Sequence, residues 1–133
     1  MRRIAIIVSI VLLTSCTKPA APPLNGPWRV SEDGGVEHRF ICRWLDNNCV
    51  NDGQPGPMVY GAGWDKNYIV LVRHPPVADG ITPDYGRSQY YYIVRSADET
   101  KPGWRPTIGG PFDEAQFDRE SDRLKLPVVT IWR

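Results

Sequence analysis

The chain has 133 residues, which is enough for one domain with a modest hydrophobic core. Its 16 basic and 15 acidic side chains nearly cancel, leaving a formal charge of +1. A protein that binds nucleic acid normally shows a basic stripe, so the composition argues against a nucleic-acid partner.

The first 15 residues have the pattern of a signal peptide. Arg2 and Arg3 precede ten largely apolar residues at positions 4–13. Ten residues match the apolar core of a cleaved leader, whereas a helix that spans a membrane needs about 20. We therefore expect residues 1–15 to be removed, a cleavage that changes the formal charge from +1 to −1.

The leader ends in Leu13-Thr14-Ser15-Cys16, which resembles the lipobox of bacterial lipoproteins. The resemblance implies that Cys16 becomes the first residue of the mature chain and carries acyl chains on its thiol and its amine. Two or more acyl chains hold a protein stably on a membrane, whereas one does so only marginally. The residue after Cys16 is Thr17 and not Asp, and in this respect the chain resembles lipoproteins that are sorted to the outer membrane. We expect a lipid-anchored envelope protein on the periplasmic side of the outer membrane; the alternative is an ordinary secretory signal.

Residues 16–27 contain four prolines, which favour an extended polyproline II conformation. This composition predicts a tether between the lipid and the folded part of the chain. We therefore expect a single globular domain at residues 28–133.

Cys42 and Cys49 remain once Cys16 is assigned to lipid. In an oxidising envelope compartment, an isolated pair of this kind predicts a disulfide. A zinc site that adds His38 or His74 to the pair is an alternative, and so are free thiols. The usual spacing of zinc ligands is absent, so we expect neither a metal nor a cofactor.

The domain consists of short runs of alternating apolar and polar residues bounded by Gly, Pro, Asn and Asp, which is typical of antiparallel β structure. The predicted strands are residues 28–31, 36–45, 58–64, 68–72, 89–95 and 128–132, with a short pairing at Thr107 and Ile108. The run 68–72 is apolar on both faces and is expected at the centre of a sheet. In the run 36–45, the residues predicted on the core face are Val36, His38, Phe40, Cys42 and Trp44.

One helix is predicted near the C-terminus. Asp113 is suited to cap its first turn, with Gln116 reaching back, and Phe112 and Phe117 occupy the positions of a hydrophobic staple. Pro127 is expected to stop it. The fold class is therefore mainly β (α+β), a small antiparallel sheet or partly open barrel with one surface helix.

Several short segments resemble a group of small uncharacterised bacterial lipoproteins whose domain has no known function. The matching segments are Gly63-Trp64-Asp65, Tyr68-Ile69-Val70, Arg73-His74-Pro75, Tyr91-Tyr92-Ile93 and Gly110-Pro111-Phe112 with the acidic helix start that follows. The resemblance implies a small antiparallel β domain with one helix. It implies no activity and no catalytic residue.

Histidine is the only side chain for which catalysis enters the interpretation. His74 follows the central strand, and Asp79 and Asp84 lie in the Pro- and Gly-rich loop at residues 77–87. A Ser-His-Asp group assembles in space and is not excluded by spacing. The simpler interpretation of His74 is a histidine at a strand end that bonds to a loop backbone. The simpler interpretation of His38 is a core or edge residue whose hydrogen bonds are satisfied.

Exposed aromatic side chains supply rigid contact area for a partner. The candidate binding surface comprises Trp64, His74, Tyr85, Tyr91 and Trp104. Tyr91 is expected on an exposed face because it points opposite to its strand neighbours. The alternative is that these rings fill a small core.

Three functions follow from these features. The first is a non-enzymatic role in binding an envelope protein or peptidoglycan. The second is an inhibitor or immunity-type lipoprotein that blocks a cell-wall enzyme or toxin through the loop 77–87. The third is a hydrolase centred on His74.

Overall fold

The computed structural model describes residues 24–32 and 34–132. The predicted signal peptide, Cys16 and most of the predicted tether lie outside these residues. The elements are β1 (Trp28–Ser31), a 3-10 turn (Val36–His38), β2 (Phe40–Leu45), β3 (Asn48–Val50), β4 (Val59–Trp64), β5 (Tyr68–Arg73), β6 (Gln89–Val94), β7 (Thr107–Phe112), α1 (Glu114–Leu124) and β8 (Thr130–Ile131).

The strands form two antiparallel sheets. One has three strands in the order β1-β2-β3, and the other has five in the order β7-β6-β5-β4-β8. Within the described residues the sheets are open and do not close into a barrel. The predicted class, mainly β with one C-terminal helix, is confirmed.

The five-stranded sheet is covered on both faces. On one face it packs against the three-stranded sheet, and we call this packing the first core cluster; its buried residues are Leu24, Trp28, Ile41, Val59, Ala62, Ile69, Leu71, Tyr91 and Ile93. On the other face lies α1, in a second core cluster around Val70, Phe117 and Leu126. The central position predicted for the run 68–72 is confirmed, because β5 is the middle strand and its four central side chains are fully buried.

β2 and β3 form a hairpin closed by a disulfide. Asp46 and Asn47 both have positive φ values, 47° and 61°, as a tight two-residue hairpin turn requires. Cys42 and Cys49 are bonded across this hairpin with their Cα atoms 5.5 Å apart. The predicted disulfide is confirmed, and neither sulfur is free to bind zinc.

The prediction of one strand over residues 36–45 is wrong in its first part, and its choice of core face is right for Cys42, which is 1% exposed, but wrong for His38 and Trp44. His38 ends a 3-10 turn and is exposed, and β2 begins only at Phe40. Trp44 is 46% exposed, whereas Ile41 and Arg43, predicted on the outer face, are almost fully buried.

Arg43 explains the error in the predicted face. Its guanidinium donates to the Asp52 carboxylate and to the carbonyl oxygens of Glu99 and Trp104, all within 2.9 Å. A buried charge is tolerated when its hydrogen bonds are made in this way. Polarity therefore did not indicate exposure at this position.

Packing begins before the expected domain start at Trp28. Leu24 is 3% exposed and belongs to the first core cluster, and Pro27 is also buried. At the other end of the chain, the predicted strand 128–132 is reduced to Thr130–Ile131, and Val128 is 84% exposed.

The helix follows the prediction closely. Asp113 and Gln116 form a capping box, and Phe112 and Phe117 both pack in the second core cluster. The helix ends at Leu124 because Lys125 takes a left-handed conformation, two residues before Pro127. In the described part of the chain no helix has the length and apolarity needed to cross a membrane.

Candidate functional site

Main-chain hydrogen bonds gather four distant segments at one end of the five-stranded sheet. The Val59 N–H donates to the Arg39 carbonyl at 3.0 Å, and the His74 N–H donates to the Met58 carbonyl at 3.1 Å. A third bond, from the Trp132 N–H to the Tyr60 carbonyl at 2.9 Å, brings in the chain after β8. These bonds place side chains from β4 and from the ends of β5 and β8 around a common space.

This space is a cleft of about 240 Å³, which we call the aromatic cleft. Its lining residues are Arg39, Met58, Val59, Tyr60, His74, Tyr85 and Trp132. Two wider depressions, of about 480 and 400 Å³, lie elsewhere on the surface. The aromatic cleft is more enclosed than either, and among the three it alone is lined by four aromatic rings.

His74 is at the centre of the ring cluster. Its imidazole stacks on Tyr60 with ring centroids 4.2 Å apart and meets Tyr85 edge-on at 5.2 Å. Its Nδ1 lies 2.8 Å from the carbonyl oxygen of Arg87. Because a carbonyl only accepts, Nδ1 carries a proton and donates it. The prediction that this histidine bonds to a loop backbone is confirmed.

The two aspartates near His74 in the sequence are engaged in their own loop. Asp79 accepts from the amides of Ile81 and Thr82, and Asp84 accepts from the amide of Gly86. The hydrogen-bond partner of His74 on Nδ1 is therefore a main-chain carbonyl and not a carboxylate.

Tyr60 links the cleft to the helix side of the sheet. Its hydroxyl lies 2.6 Å from the hydroxyl of Ser88, the residue before β6. On that side the pKa of Tyr90 is raised, first because burial disfavours the phenolate and then because of nearby Tyr60 and Glu114. Tyr60 is thus held at both ends, by the stack on His74 and by Ser88.

Arg39 forms the charged side of the cleft. Its guanidinium is an ion-pair partner of Glu32 at 2.5 Å and lies over the Trp132 ring at 5.3 Å. Its Nε is buried and has no hydrogen-bond partner. The cleft therefore combines aromatic walls with a guanidinium that is already paired with Glu32.

The loop 77–87 stands beside the cleft and contributes Tyr85 to it. The loop is ordered by its own hydrogen bonds: the Val77 N–H donates to the Thr82 carbonyl at 2.8 Å, and the Asp84 N–H donates to the Pro75 carbonyl at 2.8 Å. Ile81 and Tyr85 are left 79% and 64% exposed. The loop presents an apolar tip and an aromatic side chain from a defined backbone.

Of the five predicted surface residues, the structure brings only His74 and Tyr85 together. Trp64 is 41% exposed but lies at the far end of β4, about 16 Å from Val59 by strand rise. Trp104 is half-buried against the first core cluster, edge-on to Trp28 with ring centroids 6.4 Å apart.

The expectation that Tyr91 is exposed is wrong. It is 7% exposed, belongs to the first core cluster, and donates its hydroxyl to Gln89 Oε1 at 3.0 Å. The physical reason is that the five-stranded sheet is covered on both faces, so the two sides of β6 are both packed.

No family model, curated protein or solved structure matches this chain significantly. The aromatic cleft must therefore be interpreted from its own chemistry.

Five cleft residues were missed by sequence reasoning, namely Arg39, Met58, Val59, Tyr60 and Trp132. They lie in three separate segments that meet only through strand pairing and the backbone bonds described above. The sequence does place Trp132 at the end of an apolar run that is predicted to be a strand, but it does not indicate which strand pairs with that run.

Proposed function

We propose that this chain is a lipid-anchored protein of the bacterial envelope whose domain has a binding role and no enzymatic activity. Its attachment would be through Cys16, on the periplasmic side of the outer membrane. Its partner would be another envelope component, either protein or peptidoglycan. The resemblance at Leu13-Thr14-Ser15-Cys16 supports the address.

The observation that carries the binding role is the aromatic cleft with Tyr85 beside it. Sites for ligands are concave, mostly apolar and equipped with a few polar groups. The cleft has this composition, and its rings are fixed by stacking on His74 and by the bond from Tyr60 to Ser88. A site whose rings are already ordered loses less entropy when it binds.

The binding role is tested by photo-crosslinking in cells. A photoreactive amino acid replaces Tyr85 in one variant and Trp64 in another, since both side chains are exposed but only Tyr85 lines the cleft. We expect a specific crosslinked envelope component from position 85 and none from position 64. An identical pattern from both positions, or none from either, would contradict the proposal.

The membrane address is tested independently by Cys16→Ser. Without the thiol no diacylglyceryl group can be attached, so we expect the variant to leave the membrane fraction. Thr17→Ser serves as the matched control and should stay membrane-bound. Retention of the Cys16→Ser protein in the membrane would refute lipid anchoring.

A second candidate is supported by the order of the loop 77–87. In this alternative the chain is an inhibitor or immunity-type lipoprotein that inserts the loop tip into a cell-wall enzyme or toxin. The exposed Ile81 and the internal bonds of Asp79 favour it, because a preordered loop with an apolar tip suits insertion. Ile81→Asp should then abolish capture of the partner and Ile81→Val should preserve it. Equal capture by both variants would show that the loop tip is not the part that binds the partner.

A further inference from the structure

The chain enters the folded domain at the end of the five-stranded sheet that is opposite the aromatic cleft. Leu24 is 3% exposed and is fixed in the first core cluster. Beside it, the side-chain oxygen of Asn25 accepts from Arg95 Nη1 at 3.3 Å, and the same nitrogen donates to the Asp65 carbonyl at 2.9 Å. Asp65 begins the turn after β4, whereas the cleft lies at the start of that strand. We call the end of the domain that carries Asn25 and Asp65 the tether end.

Two exposed tryptophans flank the entering chain. Trp64 directly precedes Asp65 and is 41% exposed. Trp44 is 46% exposed, and its main-chain N–H donates to the Pro27 carbonyl at 2.6 Å. An indole combines a large apolar body with one N–H donor, so it is favoured where hydrocarbon meets the polar headgroups of a bilayer. The tether end therefore presents two side chains that suit a membrane surface.

The charges of the tether end nearly cancel. Its exposed charged side chains are Asp46, Lys66, Asp98, Lys101 and Arg105. Of these, Lys101 and Asp98 already pair with each other at 2.8 Å. Attraction to anionic lipid needs a cluster of basic residues. Contact between this end and a membrane must therefore depend on the indole rings and not on charge.

The length of chain before Leu24 favours the tether end as the end that faces lipid. Leu24 follows Cys16 by eight positions, which span at most about 29 Å when fully extended. The opposite end of β4 is about 16 Å away by strand rise. To bring that end against the bilayer, the chain would use more than half of its reach in passing alongside the domain. The tether end can meet the bilayer without this cost.

From these features we infer that the tether end is a membrane-contacting surface. Trp44 and Trp64 place their rings at the headgroup level of the bilayer in which the lipid of Cys16 is anchored. The inference rests on the proposed lipid anchoring and deepens it by giving the domain an orientation. The acyl chains hold the protein on the membrane, and the tryptophans determine which end faces it. The aromatic cleft then points away from the bilayer, towards a partner in the periplasm.

The test uses the lipidated protein in vesicles of phosphatidylethanolamine and phosphatidylglycerol, prepared with and without bromine atoms on the upper part of the acyl chains. Bromine quenches indole fluorescence only at close range, so it reports rings that reach the bilayer. We expect brominated vesicles to lower the emission of the wild type. The double variant Trp44→Phe, Trp64→Phe should lose this response. Trp132→Phe, which removes an indole at the opposite end, should keep it.

Two results would overturn the inference: equal emission of the wild type in both kinds of vesicle, or the same loss of emission in the wild type and the double variant. Capture of a protein by crosslinking from position 64 would also overturn it. A phospholipid adduct there is not a captured protein or glycan, so position 64 remains a valid control for the crosslinking experiment. Unchanged thermal unfolding of the double variant verifies that both replacements leave the fold intact.

Failure of the orientation is distinguishable from failure of the lipid anchor. If the Cys16→Ser protein leaves the membrane while wild-type emission is equal in both kinds of vesicle, the orientation fails and the anchor stands. If the Cys16→Ser protein stays in the membrane fraction, the anchor fails, and the inference that rests on it fails as well.

Discussion

Glu99 shows how a single carboxylate is kept charged inside this small domain. It is 7% exposed and accepts from Trp28 Nε1 at 3.0 Å and from Arg95 Nη2 at 2.6 Å. Burial alone would raise the pKa of Glu99, but the hydrogen bonds from Arg95 and Trp28 and the charge of Arg95 outweigh it. The pKa is therefore lowered from its ordinary value of 4.5. The folded state favours the ionised form.

Replacement of Glu99 by Gln should lower the free energy of unfolding by about 1.5–3 kcal/mol at pH 7, the usual worth of hydrogen bonds to a charged group. Because the folded pKa is lowered, the stabilisation is fully present above 4.5 and is lost as the pH falls through the folded value. Urea unfolding at pH 7 and pH 3 should therefore show a smaller difference from the wild type at pH 3 than at pH 7.

The matched control for this prediction is Glu37→Gln, which replaces an exposed carboxylate in the 3-10 turn. It should change the free energy of unfolding by less than about 0.5 kcal/mol. A loss for Glu99→Gln that is the same at both pH values would mean that the ionised form is not what stabilises the fold.

At the scale of residues, the sequence predicted the roles of side chains that depend on neighbouring residues. It missed the roles that depend on segments far apart in the chain. The disulfide and the loop bond of His74 followed from local spacing and strand ends. Arg39 and Tyr60 carried no such signal, because they meet only through pairing between segments far apart in the chain. Tyr91 was misjudged because alternation along a strand does not reveal whether a second layer covers the outer face.

The helix α1 is the element most directly dictated by its sequence. Asp113 Oδ1 accepts from the Gln116 amide at 2.8 Å, and Gln116 Oε1 accepts from the Asp113 amide at 2.9 Å. Both bonds involve donors that the first helical turn would otherwise leave unpaired. Local side chains therefore set where the helix begins.

Asp113→Ala should lower the free energy of unfolding by about 1 kcal/mol, because it removes the capping acceptor. Asp118→Ala replaces an exposed aspartate in the body of the same helix and should have an effect below about 0.5 kcal/mol. Urea unfolding followed by far-ultraviolet circular dichroism compares the two. Equal effects would indicate that the cap does not determine the stability of α1.

The Asp79 carboxylate adds side-chain bonds to the main-chain bonds that order the loop 77–87. Asp79 accepts from the Ile81 and Thr82 amides, each at 2.8 Å, and from the Thr82 hydroxyl. The hydroxyl bond of Thr82 and the two amide bonds lower the pKa of Asp79 below its ordinary value of 3.8. The loop contacts should therefore persist above that value and be lost as the pH falls through the lowered one.

Asp79→Ala should speed hydrogen exchange at the Ile81 and Thr82 amides, because both lose their acceptor. Asp79→Asn retains one acceptor oxygen in the same place and should have the smaller effect. Amide exchange measured by NMR distinguishes the variants. If exchange at both amides stays as slow in Asp79→Ala as in the wild type, the loop is held by other contacts.

The elements that sequence patterns predicted well are those with a period or a cap of their own. β5 was identified by its continuous apolar run and α1 by its capping residues. β2 was misplaced because a buried, fully bonded Arg43 has the same polarity as a surface residue. The strand predicted at residues 128–132 was overestimated because Val128 and Ile131 are exposed at a sheet edge, where pairing covers only two residues.

At the scale of the whole molecule, the two sheets share one core and depend on each other. The first core cluster contains Trp28 and Ile41 from the three-stranded sheet with Ile69 and Leu71 from the five-stranded sheet. Arg43 strengthens this connection, because it bonds from β2 to the loop between β6 and β7. Neither sheet can lose its packing without exposing the apolar face of the other.

The chain should therefore unfold in a single cooperative transition, and Arg43→Ala should destabilise both sheets together by about 3–5 kcal/mol. The variant leaves the Asp52 carboxylate and the carbonyls of Glu99 and Trp104 without their donor. Arg123→Ala, which removes an exposed pairing with Glu120, is the control and should leave the free energy of unfolding nearly unchanged. Tryptophan fluorescence and far-ultraviolet circular dichroism should give coincident transitions in all three proteins. Separate transitions, or a small effect of Arg43→Ala, would show that the three-stranded sheet folds independently of the sheet that carries the aromatic cleft.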